Sequence, residues 1–204
     1  MNYKIKVVGV TPYMQHRMDD AKLESWEKER GAIIERDHLA DNKQKLAAYH
    51  SYIDSDGNYY IPSEHFKQSF VKGGGFVKGK VGNATKSMKN IVAAMWRIKE
   101  EKIFLGRMFD TVDSRSAVNK NVKARVMVHR PKWNEWEAEF TLLIDEDYNN
   151  RLTKETVEKI ISYAGRYLGI GSYRPEHTGE YGRFNLVSCE ALVETDEQQS
   201  KKAA

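Results

Sequence analysis

One cysteine, four prolines and no long apolar run set the first limits on this 204-residue sequence. A lone Cys189 closes no internal disulfide and leaves no Cys-x-x-Cys metal site, so a reducing, cytoplasmic setting is expected. The longest apolar stretches, such as Ile91 to Trp96, are far too short for a spanning helix. The N-terminus opens on Tyr3-Lys4-Ile5-Lys6-Val7-Val8, a strand pattern rather than a basic patch before an apolar segment, so no signal peptide is expected. There is no HExxH motif and no His–Cys array, and neither metal nor cofactor is expected. Carboxylates are missing from two long windows. His65 to Lys99 holds eight lysines and arginines and no acid, and Ser114 to Lys132 holds six and none.

What is present fits a soluble globular protein, with 40% hydrophobic and 30% charged residues. The net charge of +4 is modest, but Glu135 to Lys159 is acid-rich, so the signs are separated along the chain. Such separation implies a polarised surface whose basic part attracts phosphate. The competing reading is a scatter of solvated lysines.

Residues 2–10 alternate as a half-buried strand, which ends at Gly9 and Thr11-Pro12 because proline breaks the ladder. Asp19 to Arg30 and Asp41 to Tyr49 read as a helical insertion. Asp54 to Asn58 is a turn, and Pro62-Ser63 opens a helix with Ser63 as its cap and Phe66 and Phe70 on one face. That helix stops at Gly73-Gly74-Gly75, and residues 72–90 read as a basic loop. Ile91 to Ile98 is a buried element. Residues 121–130 and 136–145 alternate and are expected to pair through a hairpin at Pro131–Asn134. Thr153 caps a helix from Lys154 to Tyr167, a glycine-rich stretch follows, and Arg183 to Val193 is the last strand. The order predicts one α+β domain, ferredoxin-like or RRM-like, over residues 1–194. It has a helical insertion after its first strand, a C-terminal glycine-rich loop and a polar tail at 195–204.

Three segments carry candidate chemistry. They are Gly9 to Met14, Tyr60 to Lys67, and Gly169-Ile170-Gly171-Ser172-Tyr173-Arg174 with Gly179-Glu180-Tyr181-Gly182-Arg183-Phe184. Glycine tolerates backbone conformations that bring N–H groups close to a phosphate, which assigns Gly169, Gly171 and Gly182 to the site. Lys67, Lys72, Lys78, Lys80, Arg174 and Arg183 are the candidate phosphate contacts. Tyr173 and Tyr181 are placed to stack on unpaired bases, a pattern that favours single strands over duplex. Trp133, at the expected hairpin tip, either stacks a base or packs on a neighbouring subunit, with core burial as the rival reading. Trp96 reads as core, and Gly169 alone reads equally well as a helix C-cap.

These segments, in this order, resemble the RAMP superfamily of ferredoxin-like proteins, which form CRISPR effector backbones and process guide RNA. Ile61-Pro62-Ser63-Glu64-His65-Phe66-Lys67 matches the helix start after the insertion, and Gly169, Gly171, Gly182, Arg183 and Phe184 match the late glycine loop. The match spans the first strand, residues 60–72 and residues 165–190. The resemblance implies a single-stranded RNA-binding backbone subunit of a ribonucleoprotein, self-associating along the strand or joined to other subunits. It also implies two alternatives. Processing endonucleases of the family use histidine, for which His16 is the first candidate and His177 the second. Members that cleave target RNA use an aspartate after the first strand, where Asp19 and Asp20 stand. Compact RAMP-like proteins of phage genomes shift the expected ligand toward single-stranded DNA and an annealing role.

Overall fold

A computed structural model describes residues 1–17, 39–81, 84–119, 124–145 and 152–192 of the chain. The predicted helix at Asp19–Arg30, Asp19 and Asp20 with it, and the tail at 195–204 lie outside the described residues. In chain order the first elements are β1 (Asn2–Gly9), β2 (Tyr13–Met14), α1 (Leu39–Tyr49), β3 (Tyr60–Pro62) and α2 (Ser63–Gly73). A 3-10 turn (Gly74–Phe76), β4 (Lys78–Val81), β5 (Ala84–Ser87), α3 (Lys89–Met95), β6 (Trp96–Ile98) and β7 (Lys102–Phe104) come next. The chain continues through β8 (Thr111–Asn119), β9 (Ala124–Trp133), β10 (Glu137–Ile144) and α4 (Lys154–Tyr163). A π turn (Ala164–Leu168), a 3-10 turn (Pro175–His177) and β11 (Phe184–Leu192) complete it. The described residues are therefore mixed α+β, with four α-helices and several antiparallel sheets. No helix among them is long and apolar enough to cross a membrane.

Period-two alternation builds the principal sheet. In β1, Tyr3, Ile5 and Val7 are buried, whereas Lys4 and Lys6 face outward. β1 runs antiparallel to both β10 and β11, and β6 pairs on the far side of β10, giving the order β11-β1-β10-β6. The helices α2 and α4 cover the inner face. Phe66 and Phe70 bring their rings 4.9 and 6.0 Å from that of Phe140, and Val157, Ile160 and Ile161 of α4 are buried. Each such ring contributes on the order of 2 kcal/mol by leaving water. The outer face is charge-paired across strands, Lys4 with Glu139 at 2.9 Å and Lys6 with Glu137 at 3.1 Å. No aromatic ring stands on that outer face in β1, β10 or β11.

The strands expected to pair through Pro131–Asn134 do not pair with each other. β9 pairs instead with β8, from Thr111 opposite Lys132 to Asn119 opposite Ala124, while β10 leaves for the principal sheet. β8 is hidden in the sequence because Asp113-Ser114-Arg115-Ser116 at its centre has poor strand propensity. The corner between β9 and β10 exposes Asn134 and Glu135 but buries both tryptophans beside them, and Trp133 is fully buried rather than exposed at a hairpin tip. Its ring packs 5.7 Å from Tyr13, 5.8 Å from Tyr59 and 6.1 Å from Phe109, and its indole N–H donates to the Arg107 carbonyl at 3.3 Å. Apolar burial with a satisfied N–H wins over display of the ring.

The described residues of 72–90 are likewise regular where the sequence predicts a loop. They comprise the end of α2, the 3-10 turn, the β4–β5 hairpin and the start of α3. The glycines serve packing: a Cβ on Gly73 would lie 2.8 Å from the Ile160 carbonyl oxygen, and one on Gly74 would lie 3.0 Å from Val92 Cγ2. They let α2 close on α4 and α3. Ser63 is the first helical residue and caps nothing; Pro62 precedes it, and the Ser63 N–H donates to Glu101 O at 3.0 Å. Thr153 does cap α4, its hydroxyl accepting from the Thr156 N–H at 3.3 Å.

Candidate nucleic-acid interface

The three segments singled out in the sequence converge in space. The glycine loop is bonded to the chain between β1 and β2: Gly182 N–H donates to Pro12 O at 2.7 Å, Ser172 N–H to Met14 O at 2.8 Å, and Arg183 N–H to Thr11 Oγ1 at 3.0 Å. From α2, His65 Nδ1 stands 3.4 Å from the Tyr13 hydroxyl, and Lys72 pairs with Glu176 of the loop. Positive φ is required here. Gly171 sits at φ +76 and Gly182 at φ +74, where Cβ atoms would lie 2.5 Å from Met14 O and 1.9 Å from Ile170 O.

The same contacts change what the loop offers a phosphate. The N–H groups of Gly169, Ile170, Ser172, Gly179 and Gly182 donate to protein carbonyls at 2.7 to 3.0 Å. In Gly169, Gly171 and Gly182 the missing side chain thus permits tight folding of the loop, rather than leaving a row of open donors. The cavity beneath, lined by His65, Gln68, Ser69, Gly171, Arg174 and Glu176 among others, holds about 20 Å³. That is room for about one water and far too little for a nucleotide.

Several predicted phosphate contacts are engaged internally. Lys67 Nζ donates to the carbonyls of Val92, Ala93 and Trp96, where it caps the C-terminal end of α3. Desolvation lowers its pKa to about 8. These bonds engage the Lys67 ammonium, expected as a phosphate contact, inside the fold. Lys72 and Arg174 share the Glu176 carboxylate, Arg174 Nε at 2.9 Å, and Arg174 also donates to Gly171 O at 2.9 Å. Burial alone would raise the Glu176 pKa, but hydrogen bonds from Lys72 and Arg174 outweigh it and hold the carboxyl below its ordinary range. Arg183 donates to Arg166 O and lies 3.6 Å from Glu180, with its side chain still 30% exposed. Lys78 is exposed and makes no ion pair among the described residues, and the side chain of Lys80 lies outside them.

The loop tyrosines meet a partner from an element the sequence did not reveal. Arg115 of β8 places its guanidinium 4.5 Å from the Tyr173 ring centre and 5.4 Å from that of Tyr181, and donates to the Tyr181 hydroxyl at 2.9 Å. The two rings are 5.7 Å apart. Asp113 holds Arg115 Nε at 2.7 Å, and that hydrogen bond raises the guanidinium pKa further. Lys132 of β9, opposite Thr111, lies 5.8 Å over Tyr181. Tyr173 remains 44% exposed although its backbone is left-handed at φ +59, a conformation costly to a bulky residue. The product is a platform of two rings grouped around one guanidinium, with Tyr173 open to solvent. Sequence reasoning missed Arg115 and Lys132 because β8 was not seen, although both fall in the acid-free window from Ser114 to Lys132.

The histidines divide. His16 follows β2 and packs edge-on to His50 with ring centres 4.8 Å apart, whereas His177 is exposed at the end of a 3-10 turn in the glycine loop. Desolvation, aided by the Arg174 charge, lowers the His65 pKa to about 4, which keeps its imidazole neutral. A larger open cleft of about 480 Å³, lined by Gly57, Tyr59, Phe104, Arg107 and Met108 among others, contains none of the predicted site residues. Compared with known proteins, the sequence matches no protein-family model and no curated protein.

Proposed function

We propose that the protein binds single-stranded nucleic acid, RNA in the first instance, as a non-catalytic RAMP-type subunit of a ribonucleoprotein. The observation that carries this reading is the Tyr173–Arg115–Tyr181 cluster, with Lys132 beside it and Tyr173 open to solvent. Aromatic and guanidinium planes stack on any unpaired base, at about 1–3 kcal/mol per base, and nearby cations hold the backbone. A duplex hides the base faces that such a platform needs.

The strand order β11-β1-β10-β6, antiparallel throughout, supports a ferredoxin-like domain. Two interleaved β-α-β units produce it: β1, α2 and β6, then β10, α4 and β11. The charge-paired outer face of that sheet carries no stacking ring, which argues for a strand held at the glycine-loop edge rather than across the sheet as in an RRM. Self-association along the strand, or docking to other subunits, is part of the proposal.

The test is Arg115→Ala, read by fluorescence anisotropy of labelled oligouridylate. About tenfold weaker binding is expected while the circular dichroism spectrum stays that of the folded protein, with a lower unfolding midpoint because Asp113 loses its partner. Unchanged affinity would remove the platform from the site. A second reading, a metal-independent endoribonuclease, is favoured by the His16–His50 pair, since one imidazole takes a proton while the other gives one. Under that reading His16→Ala and His50→Ala each abolish cleavage of RNA on a gel while binding persists; absence of cleavage by the unsubstituted protein rules it out.

A further inference from the structure

Phe76, Tyr163 and Tyr167 form a second aromatic cluster, apart from the Tyr173 platform. Phe76 closes the 3-10 turn after α2, Tyr163 ends α4, and Tyr167 lies in the π turn. Ring centres are 6.3 Å apart for Phe76 and Tyr163, 5.8 Å for Phe76 and Tyr167, and 5.7 Å for Tyr163 and Tyr167. Phe76 is 55% and Tyr167 45% exposed. Loose chain does not explain this display, because Gly73 and Gly74 seat the turn against α4 and α3 with no space for a Cβ. A large ring held rigidly in water at this cost is the signature of a contact surface.

The charges around the cluster select its occupant. Arg166 lies 5.5 Å over Tyr167, Lys159 lies 5.9 Å over Tyr163, and exposed Lys78 begins the strand just after Phe76. The acid of α4 nearest in sequence to Lys159, Glu158, is paired with Lys154 at 3.7 Å. Arg183 connects the two platforms. Its guanidinium donates to the carbonyl of Arg166, beside Tyr167, and its backbone is two residues from Tyr181. Stacking rings rimmed by cations complement a polyanion with exposed base faces.

We propose that Phe76 and Tyr167 form a second base-stacking site for the same single strand, which passes from Tyr173 over Arg183 to Tyr167. This rests on the single-strand reading above. The test uses oligouridylates of about four and about twelve nucleotides, a range that spans common single-strand site sizes. The double variant Phe76→Ala/Tyr167→Ala should weaken the longer strand about tenfold and leave the shorter one unchanged, whereas Arg115→Ala weakens both. Both positions are exposed, so an unchanged circular dichroism spectrum and unfolding midpoint serve as the folding control.

Equal affinity of double variant and parent for the longer strand overturns the second site while the first stands. A double variant that changes oligomeric state without changing strand affinity also overturns it, and assigns the cluster to contact between copies. If neither oligonucleotide binds the unsubstituted protein, the single-strand reading itself falls, a result distinct from both. Photocrosslinking of 4-thiouridine placed within the longer strand to Tyr167 or Phe76 would support the site directly.

Discussion

On α2 and in the glycine loop, cations face inward; along the β8–β9 ribbon, they face rings that reach water. Lys67 is surrounded by three main-chain carbonyls, and Lys72 and Arg174 converge on one carboxylate. Arg115 and Lys132 lie instead against Tyr173 and Tyr181. Lysine and arginine serve in both regions, and all of these cations but Arg174 come from acid-free windows of the chain. What differs is the nearest acceptor. Carbonyls at a helix end and a half-buried Glu176 turn a cation into a structural bond, whereas a ring face leaves charge and plane available to a ligand.

The sharpest break in this comparison is Gly182→Ala. A Cβ there meets Ile170 O at 1.9 Å on a backbone at φ +74, so the loop comes away from Pro12 and carries Tyr173 and Tyr181 out of register. Urea unfolding should show a loss of about 3 kcal/mol or more. Next is Lys67→Met, which removes the ammonium shared by the carbonyls of Val92, Ala93 and Trp96 and leaves Val92 O only the Trp96 N–H. It should cost about 2 kcal/mol and leave strand affinity of the folded protein unchanged. Lost affinity at unchanged stability would return Lys67 to the binding site.

His65 should make the inward region sensitive to acid. Burial lowers its folded pKa to about 4 from the ordinary histidine value of 6.5, so the unfolded chain binds more protons between those values. Stability is then fully present above about pH 6.5 and falls as pH drops toward 4, by on the order of 2 kcal/mol. His65→Gln should flatten that part of the profile; an unchanged profile would locate the titration elsewhere. The smallest effect belongs to Lys132→Gln, with stability shifted by less than about 0.5 kcal/mol. The plot of log affinity against log salt should become shallower by about 0.7, the value for one phosphate on a single strand.

Much of the frame was legible. The alternation of Tyr3, Ile5 and Val7, the Thr153 cap and the face of Val157, Ile160 and Ile161 identify β1 and α4 because local pattern and burial agree. The meeting of the glycine loop with Gly9 to Met14 and Tyr60 to Lys67 also agrees with their selection as one constellation. β8 was illegible, since Asp113-Ser114-Arg115-Ser116 becomes a strand through its pairing with β9 rather than by its own propensity. With β8 hidden, β9 was paired with the wrong neighbour, Trp133 was placed at a tip, and Arg115 had no position. The internal bonds of Lys67 are hidden for a different reason: the carbonyls that hold it lie on α3 and at the start of β6, contacts that no local pattern encodes.

The central claim is that the platform reads unpaired bases, and RNA in preference to DNA. The direct measurement is fluorescence anisotropy of matched single-stranded RNA, single-stranded DNA and duplex at two salt concentrations, with a gel run for cleavage products. The account predicts salt-sensitive binding that is tightest for RNA, weaker for the DNA strand that lacks the 2′-hydroxyl, and weakest for duplex, with the RNA intact. Duplex binding as tight as single-strand binding, or no binding to any of the three, would contradict it.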